Sequence, residues 1–157
     1  MLLSSGNDKV YVFDNFLKEK ECEKYLNSIP DIGFQNNSVP WDLRTIDITN
    51  DPIVEKVKNF LNKNLKLEIN QAQLQNHNIN SFCDLHIHDG RGRENTKYNS
   101  LIYLNDDFDG GEFKTKEGIK IKPKKGMLTF FRGDKVWHGV ERVYLQDRKT
   151  IILWWQK

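Results

Sequence analysis

The chain has only two cysteines, Cys22 and Cys83, among its 157 residues, which excludes a disulfide-stapled scaffold. Two thiols without secretory context read as free, buried small hydrophobes, one in a predicted helix and one in a predicted strand. Excess charge is also scarce. Against 24 basic side chains stand 22 acidic ones, and a net charge of +2 gives no global case for a nucleic-acid partner. The basic run Lys120, Lys122, Lys124 and Lys125 reads as a solvated edge or turn. No long apolar run is present, and Met1-Leu2-Leu3-Ser4-Ser5-Gly6 has neither the basic nor the apolar region of a leader, so no membrane span or signal peptide is expected. These absences together point to a reducing, cytoplasmic setting.

What remains is ordinary globular composition, 38% hydrophobic and 29% charged. The length suits one domain over 1–157, with no repeat or linker. Val10 to Phe13 is a short β-type run. A helix follows, with Cys22, Tyr25, Leu26 and Ile29 at helical spacing and Pro30 as its stop. Asp31 to Pro40 reads as a loop and Trp41 to Thr49 as a strand. Asn50-Asp51-Pro52 is a helix start, an Asx cap before a first-turn proline, and the helix carries Ile53, Val54, Val57, Phe60 and Leu61 on one side. Thereafter come only short strands between Gly, Asn, Asp and Pro: Leu65 to Gln75, Ile79 to His88, Tyr98 to Leu104, Gly111 to Thr115, Ile119 to Lys122, Met127 to Phe131, Gly139 to Val143 and Thr150 to Trp155. Two helices before such a region predict an α+β fold with the helices backing one sheet.

The chemistry lies beyond Asp84. Alternation along Ile79–His88 places Cys83, Leu85 and Ile87 on one face, under the helices, and Asp84, His86 and His88 on the other. Two histidines on one strand face can chelate one metal, and His138 from a distant strand can complete a facial triad with open positions, the signature of non-haem Fe(II) oxygenases. Arg148 downstream can bind a carboxylate through two parallel hydrogen bonds, and Thr150 shares its strand face.

At these residues the chain resembles the Fe(II)/2-oxoglutarate-dependent dioxygenases, and within them the small prolyl-4-hydroxylase-like group. Phe13-Asp14-Asn15-Phe16-Leu17 with Cys22 is similar to the family's N-terminal segment. Tyr103-Leu104-Asn105 with Gly110-Gly111-Glu112-Phe113, then Pro123 to Phe131, then His138-Gly139-Val140, Val143 and Arg148, follow in family order. The resemblance implies a double-stranded β-helix (jelly roll) and an enzyme using Fe(II), 2-oxoglutarate and O2. It implies His138 as the distal iron ligand, Arg148 on the far carboxylate of 2-oxoglutarate, and Tyr103 and Thr150 as its hydroxyl helpers. The implied substrate is a peptidyl proline or related side chain, or a small molecule, with Trp41, Arg44, Arg91, Arg93 and Trp137 as candidates for the entrance.

The family's His-any-Asp triplet is absent. The strand reads Asp84-Leu85-His86-Ile87-His88-Asp89-Gly90, and four ligand sets satisfy it. His86 and His88 both bind; or a β-bulge turns Asp89 inward in place of one histidine; or His88 binds with Gly90 at the acid's position, as in iron halogenases; or Asp84 and His86 bind in reversed order. The second reading of the chain as a whole is a jelly-roll binding module without oxygenase activity.

Overall fold

The computed structural model describes residues 1–29, 34–36, 43–62, 65–88 and 95–156. The chain opens with a hairpin, β1 (Leu2–Ser5) and β2 (Asp8–Phe13), followed by α1 (Glu19–Ser28). Two strands, β3 (Phe34–Asn36) and β4 (Leu43–Asp47), precede α2 (Pro52–Leu61). Then come β5 (Glu68–His77), β6 (Cys83–His86), β7 (Tyr98–Tyr103), β8 (Asp109–Gly110), β9 (Phe113–Thr115), β10 (Lys120–Ile121) and β11 (Leu128–Phe131). The chain ends with β12 (His138–Val140), β13 (Val143–Tyr144) and β14 (Arg148–Gln156).

An eight-stranded antiparallel sheet runs β1-β2-β11-β7-β14-β5-β4-β3, and a four-stranded one runs β10-β9-β12-β6. The central strand β14 explains the layering. Its Ile151, Leu153 and Trp155 join Val54, Val57, Cys22 and Tyr25 of the helices in one core. Its Ile152 and Trp154 join Phe113, Ile119, Val136 and Phe131 in a second core on the opposite face. Both faces are buried, so the strand reads as a continuous apolar run rather than an alternating one. The expected α+β class, with the helices on one face of a sheet, therefore holds as two helices on a mostly antiparallel sheet.

The second helix starts as its sequence predicts: Asp51 Oδ1 accepts from the Ile53 N–H at 2.8 Å, with Pro52 in the first turn. The same carboxylate accepts the Tyr25 hydroxyl at 2.6 Å, which ties the two helices together. The lysine cluster is largely exposed as expected, with Lys120 and Lys124 paired to Glu141 and Asp14 and the half-buried Lys125 to Glu19.

Other expectations need correction. β1 was not anticipated; its exposed Leu2 gives no clean apolar alternation. β3 lies within the stretch read as a loop, paired to β4. The strand expected over Ile79–His88 is only Cys83–His86. It lies in the small sheet, away from the helices, and Leu85 is exposed rather than packed beneath them. The Gly139–Val143 run is split between β12 and β13. Pro30 and the expected strand start at Trp41 lie outside the described residues.

Candidate functional site

Between the sheets lies a cavity of about 410 Å³, lined by residues including His86, His88, His138, Cys83, His77 and Arg148. A bulge aims the first of these. His138 pairs with His86 and Val140 with Cys83, so β6 spends one residue more than β12 over the same step. That extra residue breaks the alternation, and Cys83 and His86 reach the same cavity while Asp84 and Leu85 are exposed. Cys83 is accordingly a free thiol in the cavity wall, not a buried core hydrophobe; Cys22 is the buried one.

One ring nitrogen from each of His86, His88 and His138 lies within 4.8 Å of the others, a spacing that one metal ion can bridge. In each ring Nδ1 is already engaged: His86 Nδ1–H donates to the Asp84 carbonyl at 2.9 Å, His88 Nδ1–H to Asn99 Oδ1 at 2.8 Å, and His138 Nδ1–H to the Val136 carbonyl at 2.7 Å. These oxygens only accept, so Nδ1 carries the proton and the Nε2 lone pair remains for a metal. His138 stacks on Phe113 at 5.8 Å and meets Phe131 edge-on at 4.7 Å. Burial, and then the neighbouring His86 and His88, hold its pKa well below the ordinary imidazole value, which keeps it a neutral donor. Asp89 and Gly90 lie outside the described residues, and Asp84 is exposed, so among the described residues no acid joins the cluster.

The Asn99 contact depends on a glycine. A Cβ on Gly133 would overlap Asn99 Oδ1 and come within 3.0 Å of His88 Nδ1, and the Gly133 carbonyl accepts the His88 N–H at 2.9 Å. Gly133→Ala is expected to push Asn99 off His88 and to weaken Fe(II) binding by about 10-fold or more, as loss of such outer partners does. An anaerobic Fe(II) titration checks this; unchanged affinity would mean that Asn99 does not hold the ring.

Arg148 is 1% exposed. Its Nε donates to the Gly111 carbonyl at 3.0 Å, and its guanidinium carbon sits 5.1 Å from the centre of the Tyr103 ring. Gly111 has φ +63°, and a Cβ there would press on Phe108 and the Arg148 side chain. Gly111 thus clears the path of the arginine. Burial pulls the Arg148 pKa down from its ordinary value, and Tyr103 opposes this. Burial likewise raises that of Tyr103, with the guanidinium opposing. Although the two side chains adjoin, Tyr103 Oη, Arg148 Nη2 and Thr150 Oγ1 are all buried without a hydrogen bond of ordinary geometry. No acid forms an ion pair with Arg148 among the described residues. Tyr103 and Thr150 face each other across β7 and β14 at the Arg148 end, without lining the cavity themselves.

Of the expected entrance residues, Trp41, Arg91 and Arg93 lie outside the described residues. Trp137 is 44% exposed and does not line the cavity, and Arg44 alternates with the cavity-lining Leu43 and Thr45. Sequence reasoning missed Asn99 and the row Gln73, Gln75 and His77. Alternation could have found both: Asn99 shares parity with Tyr103, and the row is offset by one from the apolar Ala72 and Leu74.

The model for the 2OG-Fe(II) oxygenase superfamily matches residues 72–156, which include every residue of this site. Prolyl 3-hydroxylase 2 of Mus musculus is 44% identical over 64 residues, covering 36% of this chain and 9% of that protein, so this chain matches a small part of its relative's length. The viral collagen prolyl hydroxylase of Paramecium Bursaria Chlorella virus-1, solved as a 2-oxoglutarate complex, superposes with a TM-score of 0.71 at 18% identity, covering 94% of each chain. A prolyl hydroxylase from Trichoplax adhaerens, solved with a hypoxia inducible factor peptide fragment, gives a TM-score of 0.76 at 18% identity over 94% of this chain and 83% of that one. No helix among the described residues is long and apolar enough to cross a membrane. This chain belongs to the 2OG-Fe(II) oxygenase superfamily, whose enzymes use Fe(II), 2-oxoglutarate and O2.

Proposed function

We propose that the chain is an Fe(II)- and 2-oxoglutarate-dependent hydroxylase acting on a prolyl or related side chain of a polypeptide. In this reading the packed sheets form a double-stranded β-helix and residues 1–157 act as one oxygenase domain. His86, His88 and His138 hold the iron. Arg148 grips the far carboxylate of 2-oxoglutarate, with the Tyr103 and Thr150 hydroxyls around it. The observation that carries the reading is one cavity lined by two complementary sets of groups. Three imidazoles present Nε2 lone pairs, and a buried guanidinium lacks an anion. A buried cation without a counter-anion is costly, and the planar arginine fork matches a carboxylate.

With 2-oxoglutarate and O2, the iron supplies the oxidation: one oxygen atom enters a substrate C–H bond as hydroxyl, the other enters succinate, and CO2 leaves. The protein's share is positional. The Nδ1–H bonds fix ring orientation and tautomer, Arg148 sets the direction of the keto-acid, and Leu101, Phe113, Phe131 and Ile152 keep that part of the cavity apolar. The substrate class rests on the relatives, several of which are prolyl hydroxylases.

Anaerobic titration with Fe(II) and 2-oxoglutarate tests the reading. One Fe(II) per chain, with a weak visible charge-transfer band dependent on the keto-acid, is the expected result, followed by succinate on admitting O2. No band and no succinate would leave the chain a binding module of the same fold.

A further inference from the structure

The cavity wall opposite the small sheet is polar in a way that the iron and keto-acid reading does not use. On β5, Gln73, Gln75 and His77 alternate toward the cavity, and Leu43 and Thr45 of β4 flank them. The three polar side chains form one chain of hydrogen bonds. His77 Nε2–H donates to Gln75 Oε1 at 3.2 Å, and Gln75 Nε2–H donates to Gln73 Oε1 at 3.1 Å. Each acceptor oxygen thus already takes one hydrogen bond from within the row.

The row has a buried end and an open end. His77 is 1% exposed and pairs in register with Arg148, whose charge, after burial itself, holds the imidazole neutral. Gln73, at the other end, is half-buried. Its Nε2 amide donates no hydrogen bond among the described residues. Asp47, opposite Gln73 in the register, is turned to the Thr49 N–H at 2.8 Å. What the row leaves uncommitted at the cavity mouth is the N–H pair of Gln73, while its oxygen is already oriented by Gln75.

We infer that this row is the substrate-recognition wall, and that Gln73 donates its side-chain N–H to a main-chain carbonyl of a bound polypeptide. The chemistry fits the substrate class. A prolyl residue has no N–H and offers only its carbonyl, so a side chain that hydrogen-bonds the main chain of that residue must donate. Fixing the amide through Gln75 and His77 keeps the donor aimed without a further loss of side-chain freedom on binding. The inference rests on the proposed prolyl substrate.

The test is anaerobic binding of a fluorescein-labelled, end-blocked peptide of Pro-Pro-Gly repeats to the Fe(II)- and 2-oxoglutarate-loaded protein, read by anisotropy. Gln73→Leu removes the donor; Gln73→Glu keeps size and acceptors but loses the N–H pair. Both are expected to raise the peptide Kd by about 3–10-fold, the worth of one neutral hydrogen bond. The peptide effect should exceed any change in 2-oxoglutarate Kd in the same samples by at least threefold. Equal peptide affinity in wild type and Gln73→Glu overturns the donor assignment and leaves the prolyl reading standing. A wild-type protein that releases succinate yet neither binds nor hydroxylates the peptide overturns the prolyl reading, and the inference with it.

Discussion

Replacing His138 with alanine is expected to lower Fe(II) affinity by more than about 100-fold, beyond the 10–100-fold typical of outer partners, and to bring succinate release to background. His138 is 6% exposed, lies 4.4 Å from the His86 ring and 4.9 Å from the His88 ring, and has its Nδ1 committed to Val136. No other described side chain can take its place in the cluster. The ring is held neutral, so its loss removes a donor and a packed aromatic but no charge. A melting curve run beside the titration separates lost packing from lost ligation. His88→Asp is the informative companion. It writes the family's His-any-Asp triplet at 86–88 and replaces a neutral donor with an anion, so Fe(II) binding is expected to persist. An Fe(II) affinity in His138→Ala equal to that of wild type would sink the three-histidine assignment.

Arg148→Ala carries the second large effect. A charge-assisted hydrogen bond is worth about 1.5–3 kcal/mol, so losing even one arm of the fork predicts a rise of about 10–150-fold in the 2-oxoglutarate Kd, and losing both predicts more. Arg148→Lys restores the charge but not the planar pair of donors, nor the Nε bond to Gly111, and should recover only part of the affinity. Saturating 2-oxoglutarate against succinate formation measures this directly. If the apparent affinity in Arg148→Ala matched that of wild type, the keto-acid would have to be held elsewhere.

Sequence order alone made much of this site legible. His138 and Arg148 follow two landmarks, the Tyr103 strand and the Gly110-Gly111 pair, and the structure sets Gly111 against the arginine, where it clears space and accepts its Nε–H. The start of α2 was legible for a local reason, because Asp51 and Pro52 act within one turn. The face of β6 was not. Strict alternation gave His86 and His88 the same side but put Cys83 on the other, whereas the bulge against β12 brings Cys83 and His86 together. A bulge is decided by the partner strand, which lies more than fifty positions away in the chain, and no local pattern announces it. The Asn99–His88 bond escaped for a similar reason: alternation marks Asn99, but the bond needs β7 set beside the His86–His88 segment. The Gln73–Gln75–His77 row lies within β5 alone and was open to a reading of alternation. β3 was hidden because it is three residues long and reads as turn composition.

Tyr103 Oη, Thr150 Oγ1 and Arg148 Nη2 are buried together, with no acid paired to the arginine among the described residues. Groups of this kind cost free energy unless their hydrogen bonds are completed. A keto-acid carboxylate that satisfies them also stabilises the folded state by mass action, by about 2.7 kcal/mol at a hundredfold excess over its Kd. In the proposed reading the cosubstrate is then part of the protein's own interior as well as its reactant, and resistance of the chain to unfolding is expected to rise with the concentration of 2-oxoglutarate.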